Sequence, residues 1–218
     1  MTERQHVVAV LGDVVASRRH PDADRRRARI ADALAFANDR LRPVQPLTPT
    51  IGDEFQGLYE HLEDALEATL LVRLALAGEA DVRFGIGSGS LLAFDPERAP
   101  FEQDGPAWWS AREAVDAVRD QAQRHEMPRG LRTRWTDADA GDPFRTAAIN
   151  AFLLCRDELV ASMDVRDSAT MLGLLLDEPL RAIADVQGVS VSALSQRAIR
   201  GGLYAIRRAH AELREAVG

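Results

Sequence analysis

Lysine is absent from this chain, and all 27 basic residues are arginine. Chemistry that needs a lysine amine is therefore excluded: Schiff-base catalysis, cofactor attachment through lysine, and the phosphate-binding lysine of a P-loop. Planar guanidinium groups remain well suited to bidentate phosphate contacts. Cysteine is nearly absent too. Cys155 stands alone, which rules out a disulfide framework and a cysteine-rich zinc site, and its place in the apolar run Ala151-Phe152-Leu153-Leu154-Cys155 predicts a buried small hydrophobe. No apolar stretch reaches the roughly 20 residues that cross a bilayer, and no cleavage pattern precedes the first strand-like run, so a cytoplasmic protein with no membrane partner is expected. His6, His20, His61, His125 and His210 show no paired ligand spacing. No nucleophile elbow or thiol–histidine pair supports acyl-transfer chemistry.

What is present describes an ordinary globular chain: 218 residues, 46% hydrophobic and 28% charged. That length suits a domain of about 150 residues plus a smaller one. Net charge is −7, yet residues 179–218 hold six arginines against three acids, a local +3 in the direction expected for phosphate contact.

Residues 6–12 form a β-branched run ended by Gly12 and Asp13, the pattern of a buried central strand with an acid at its mouth. After Pro21, Ile30, Leu34, Ala37 and Leu41 recur at helical spacing until Pro43. Two short extended runs, 47–51 and 55–59, flank Gly52-Asp53-Glu54 and read as a hairpin whose tip could lie beside Asp13. Leu62, Leu66, Leu70 and Leu74 mark a second helix, residues 82–89 a further strand, and Pro106 the start of another helix. Residues 131–136 can form a strand, and Asp137, Asp139 and Asp142 around them lack the spacing of an EF-hand loop. From residue 144 the pattern is helical. The order predicts an α+β, ferredoxin-like sandwich over 1–143 followed by an all-helical module over 144–218.

Four segments carry a resemblance: Val8-Ala9-Val10-Leu11-Gly12-Asp13, Ile51-Gly52-Asp53-Glu54-Phe55, the strand Val82 to Gly89, and Asp104-Gly105-Pro106-Ala107-Trp108-Trp109-Ser110-Ala111-Arg112. Together they resemble the SatD family of bacterial proteins over nearly the whole chain. In the same order, and more distantly, they are similar to the catalytic domains of class III nucleotide cyclases and diguanylate cyclases. That likeness implies a nucleotide-cyclase-like core in which Asp13 and Asp53 hold Mg²⁺ or Mn²⁺ against a bound nucleotide, a sound use of hard carboxylate oxygens. It implies nucleotide contacts from Gly52, Glu54, Trp108 and Arg112, with Arg112 matching the transition-state arginine. Three departures stand out. Pro49 and Thr50 replace the lysine that reads adenine, Trp108 replaces the helix asparagine four residues before the arginine, and Ile51 replaces the first glycine of the diguanylate cyclase pattern.

Residues 179–200 read as a helix-turn-helix. Ala184 and Gly188 are four apart, Ser190 is a natural N-cap, and Leu194 returns an apolar side chain to the core. The second helix would offer Ser192, Ser195, Gln196 and Arg200, with Arg197 near them, to a major groove or to phosphates. The segment resembles sigma-factor region four. Leu203, Ile206, Ala209 and Leu213 continue an apolar stripe that could make a homodimer. The expectation is a DNA-binding transcriptional regulator whose degenerate cyclase-like domain binds a nucleotide or divalent metal. The alternative is an active metal-dependent nucleotide cyclase or nucleotidyltransferase-type enzyme with a helical dimerisation tail.

Overall fold

β1 (His6–Val14) is the middle strand of a five-stranded sheet, and its side chains alternate between two buried faces. Val8, Val10 and Val14 join a core with Ile30 and Leu34 of α1 (Ala23–Leu41) and Leu66 and Leu70 of α2 (Leu62–Ala75). Val7, Ala9 and Leu11 face the other way, against Ala107, Trp108 and Ala111 of α3 (Pro106–Ala122). Burial on both faces is why the strand reads as an unbroken apolar run. The computed structural model describes residues 6–15, 23–94, 103–139 and 142–216.

The hairpin strands β2 (Gln45–Pro49) and β3 (Glu54–Tyr59) add to one side of β1. β4 (Val82–Ser90) and β7 (Thr133–Asp137) add to the other, giving the order β2-β3-β1-β4-β7. All neighbours are antiparallel except β4 and β7, which run parallel. A small ribbon, β5 (Ala93–Phe94) with β6 (Gln103–Asp104), precedes α3. The fold is a mixed α+β one with an antiparallel-rich sheet and eight helices among the described residues.

Glycine alternation in β4 sets how closely α3 approaches. A Cβ on Gly85 would lie 2.1 Å from the Ala111 carbonyl oxygen, and one on Gly87 would lie 2.2 Å from both the Ala107 oxygen and the Ala111 nitrogen. The helix therefore rests directly on strand backbone, while Phe84 and Ile86 fill the opposite face.

The helices α4 (Pro143–Ala161), α5 (Val165–Leu175), α6 (Leu180–Gln187), α7 (Val191–Arg200) and α8 (Leu203–Glu215) follow. The change of architecture comes at Asp142, the N-cap of α4, whose carboxylate accepts from the Phe144 and Arg145 amides. The core nevertheless runs on without a break: Leu153, Val160, Met171, Leu194 and Leu203 belong to the same cluster as Val10 and Leu70. α4 docks on the outer side of β7. Asp157 Oδ2 accepts from the amides of Arg132 and Thr133 at 2.7 and 2.6 Å, and the Asn150 amide bonds both the nitrogen and the oxygen of Trp135 at 2.9 Å. Two side chains seven residues apart thus stand in for a sixth strand. Asp157 also receives Arg73 of α2 at 2.7 Å and Arg156, whose guanidinium reaches the Leu66 carbonyl; Arg156 and Asp157 are sealed from solvent, and the Arg73 side chain is 8% exposed.

Cys155 corrects the expectation made for it, because it is exposed. The buried positions of α4 are Leu153, Arg156, Asp157 and Val160, so a charged pair occupies the inward face and the thiol looks out. The stripe Leu203, Ile206, Ala209, Leu213 is likewise turned inward: Leu203 and Ile206 are core residues and Leu213 packs on the core, which removes it as a free dimer surface.

Candidate functional site

Alternation carries Asp13 onto the same sheet face as Val7, Ala9 and Leu11, beneath α3. Its cross-strand partners are Glu54 on β3 and Arg83 on β4, so three charged side chains lie in a row across the sheet. Over them, α3 presents Arg112, Asp116 and Arg119, spaced four and three apart on one flank of the helix. Six charges meet within a few ångström, and they sum to zero.

The contacts are dense. Arg83 forks onto Asp13, Nε to Oδ1 at 3.0 Å and Nη2 to Oδ2 at 2.9 Å. Arg119 adds Nε and Nη2 to Oδ2 at 3.2 and 3.0 Å, then reaches Glu54 at 3.3 Å and Asp116 at 2.9 Å. Arg112 closes the outer end with a symmetric fork onto Glu54, both bonds 3.0 Å. The hydrogen bond from Arg112, followed by the charges of Arg112 and Arg119, holds the Glu54 carboxyl below its ordinary range against the opposing effect of burial. Exposure rises outward along the chain: the side chain of Asp13 is 10% exposed, those of Arg119 and Glu54 34%, and that of Arg112 43%.

Beside the outer end opens a cleft of about 410 Å³ lined by Leu11, Ile51, Gln56, Trp109 and Arg112 among others. Trp109 is 56% exposed, and its indole N–H donates to Asp104 at 2.7 Å, which fixes the ring at the rim. Trp108, expected to contact a nucleotide, is 7% exposed and packs with Leu11 and Ala111, yet it also lines this cleft, beside the more exposed ring of Trp109. On the far side of Asp13 lies a basic cavity of about 440 Å³, lined by Arg83, Arg124, Arg129 and Arg132.

The turn behaves as its sequence implies. Gly52 adopts φ +73°, and the Asp53 carbonyl accepts from Val14, which sets the hairpin tip against the end of β1. The expected pair of metal ligands does not follow, however. Both Asp13 oxygens are already taken by guanidinium donors, with three on Oδ2 alone, and a divalent cation would meet Arg83 and Arg119 at the place it must occupy. The residues as arranged do not fit Mg²⁺ or Mn²⁺. Among the described residues, the side chains close enough to share an ion are His6, Asp137 and Asp139, at the opposite end of β1 and exposed or half-buried. Strand register would have shown Arg83, and the spacing Arg112-Asp116-Arg119 would have shown Arg119. The resemblance carries Arg112 but neither Arg83 nor Arg119, so it gives no signal for these two.

In the helical bundle, α6 ends at Gly188 in the left-handed conformation, φ 66°, and Val189 N bonds the Ala184 carbonyl. Ser190 caps α7 by accepting from Ala193. Ile183, Ala184, Leu194 and Ala198 are buried. Ser192, Gln196 and Arg200 are exposed and Ser195 is half-buried. Arg197 turns inward, paired with Asp167 at 2.8 Å and bonded to Gln187 at 2.5 Å, so it ties α7 to α5 and α6.

A model of the SatD family matches residues 7–212. No curated protein matches the sequence. Similar solved structures include a bacterial light-regulated adenylyl cyclase, at 12% identity and a TM-score of 0.43 over 60% of this chain and 75% of that one. An adenylate/guanylate cyclase/hydrolase from Silicibacter pomeroyi is similar at 16% identity and a TM-score of 0.41, over 59% of this chain and 88% of the other. Among the described residues no helix is long and apolar enough to cross a membrane.

Proposed function

The chain belongs to the SatD family, and from that premise we propose a nucleotide-responsive, DNA-binding transcriptional regulator. The observation that carries this reading is the α6–turn–α7 unit. Its left-handed Gly188, its Ser190 cap and its buried Leu194 and Ala198 turn one face inward and leave Ser192, Ser195, Gln196 and Arg200 on the other. That face has the small polar groups and the cation that base edges and phosphates require. A likeness to sigma-factor region four and use as a homodimer on paired half-sites belong to the same proposal.

The sheet domain is the sensing part. Its strand order, with β1 between β3 and β4, supports a ferredoxin-like reading, and the Trp109 and Arg112 cleft offers a stacking face beside a phosphate-binding fork. Helix α2 packs on the sheet and on α5 and α8, so a shift at the sheet has a packed route to the DNA-facing helix. The rival reading, a metal-dependent cyclase, is disfavoured by the guanidinium groups that already saturate Asp13.

Fluorescence anisotropy with duplex DNA at several salt concentrations tests the proposal. Binding should weaken steeply with salt, and Arg200→Ala should lower the slope of log K against log salt by about one. Retention unchanged in Arg200→Ala and Gln196→Ala together would remove α7 as the reader.

A further inference from the structure

Phosphate chemistry at this site has an internal competitor. Glu54 already occupies the Arg112 fork with both oxygens, in the geometry a phosphate would use, and it takes a third bond from Arg119. Asp13, one step deeper, is immobilised by Arg83 and Arg119. A phosphate-bearing ligand entering past Trp109 meets Arg112 first, since that guanidinium lines the cleft and is the most exposed of the three arginines.

We infer that the site binds a phosphate-bearing nucleotide without a divalent metal, the phosphate taking Arg112 from Glu54 while the Asp13–Arg83 pair stays closed. This rests on the nucleotide-binding half of the function proposed above. Electrostatics carries the argument. The six side chains sum to zero, so a phosphate that takes Arg112 leaves Glu54 with Arg119 as its remaining partner, and the exchange is open because the Glu54 side chain, 34% exposed, can be hydrated in place of the lost fork. A divalent cation at Asp13 would first have to expel two arginines held by charge-assisted bonds. Glu54 is therefore an autoinhibitory anion, and its removal favours the ligand.

The test is titration calorimetry on the full chain with GTP, ATP and inorganic triphosphate, each in EDTA and in MnCl₂. A nucleotide Kd that changes by less than about threefold between the two conditions is expected, since a metal-bridged phosphate would gain about tenfold or more from the ion. Glu54→Gln, nearly isosteric and on a half-exposed side chain, should tighten nucleotide and triphosphate alike by about tenfold, and Arg112→Gln should weaken both by a similar factor. Nucleotide binding that appears only with Mn²⁺ and is lost in Asp13→Asn overturns this inference and leaves the nucleotide reading standing. Absence of binding under every condition, in Glu54→Gln as well, overturns both. Binding that survives Arg112→Gln but is lost in Arg129→Gln moves the ligand to the basic cavity and also overturns it.

Discussion

Asp157 and Asp13 each gather two guanidinium groups, and the surroundings make them different devices. Asp157 and Arg156 are sealed at 0% exposure, and the Asp157 oxygens are shared among Arg73, Arg156, two backbone amides and the Thr133 hydroxyl. The donors come from α2, from α4 itself and from the start of β7 with the residue before it, so the cluster cannot come apart without separating these three elements. The Asp13 cluster begins as tightly, then loosens toward solvent until Arg112 is held by one partner alone. One arrangement is a weld, the other a graded chain with a free end. A buried guanidinium–carboxylate pair by itself says little about function; the gradient does.

Breaking the weld should cost most. Asp157→Ala strands Arg73 and Arg156 as buried cations, and a loss of about 3–5 kcal/mol is expected in urea unfolding. A value under half of that would mean that water reaches the cluster. Asp13→Asn keeps the shape and removes one charge from a mostly buried position, so about 1–3 kcal/mol is expected by the same measurement.

Acid should act on the sealed side first. His210 packs on Phe152 within reach of Arg156 and Arg214, and burial, then those two charges, lower its imidazole from 6.5 to about 3. The folded chain holds it neutral, whereas the unfolded chain takes up a proton below about pH 6.5. Stability is therefore whole above that pH and declines as pH falls toward 3, at about 1.4 kcal/mol per unit. Unfolding at about pH 5 should give about 2 kcal/mol less than at about pH 7. His210→Gln should flatten the profile, and an unchanged slope would place the titration elsewhere. Glu54, lowered rather than raised, contributes stability that is lost only as pH drops below the ordinary carboxylate range.

The smallest effect sharpens the contrast most. Arg112→Gln should leave stability within about 1 kcal/mol, given how exposed the pair is, while abolishing the tighter ligand binding expected of Glu54→Gln in the double variant. Destabilisation as large as that of Asp13→Asn would make the whole cluster structural.

Much of the fold could be read from the chain because its signals are local. The β-branched run at residues 6–12, the leucines at 62, 66, 70 and 74, and the Gly188–Ser190 turn each speak for themselves. The charged cluster was half legible: Asp13, Glu54 and Arg112 stand out in the sequence, though the cluster pairs them with one another and with arginines, while Arg83 and Arg119 required the register of β1 against β4 and the face of α3. The weld was not legible at all. Its members lie on three elements well separated in sequence, and nothing local in Arg156-Asp157 marks the pair as the inward face of α4 with Cys155 facing out. Polarity patterns locate an inward face only when that face is apolar.

The side chains of Asn150 and Asp157 along β7 bear on how this protein can assemble. With the outward amides of Thr133 and Trp135 already bonded, that border of the sheet offers no template for another chain. The opposite border, β2, carries Pro46 and Pro49, which have no N–H to give. Neither border invites edge-to-edge growth, so the sheet is protected from strand addition and from the aggregation that follows it. A second copy would have to meet this molecule through its helices or its turns.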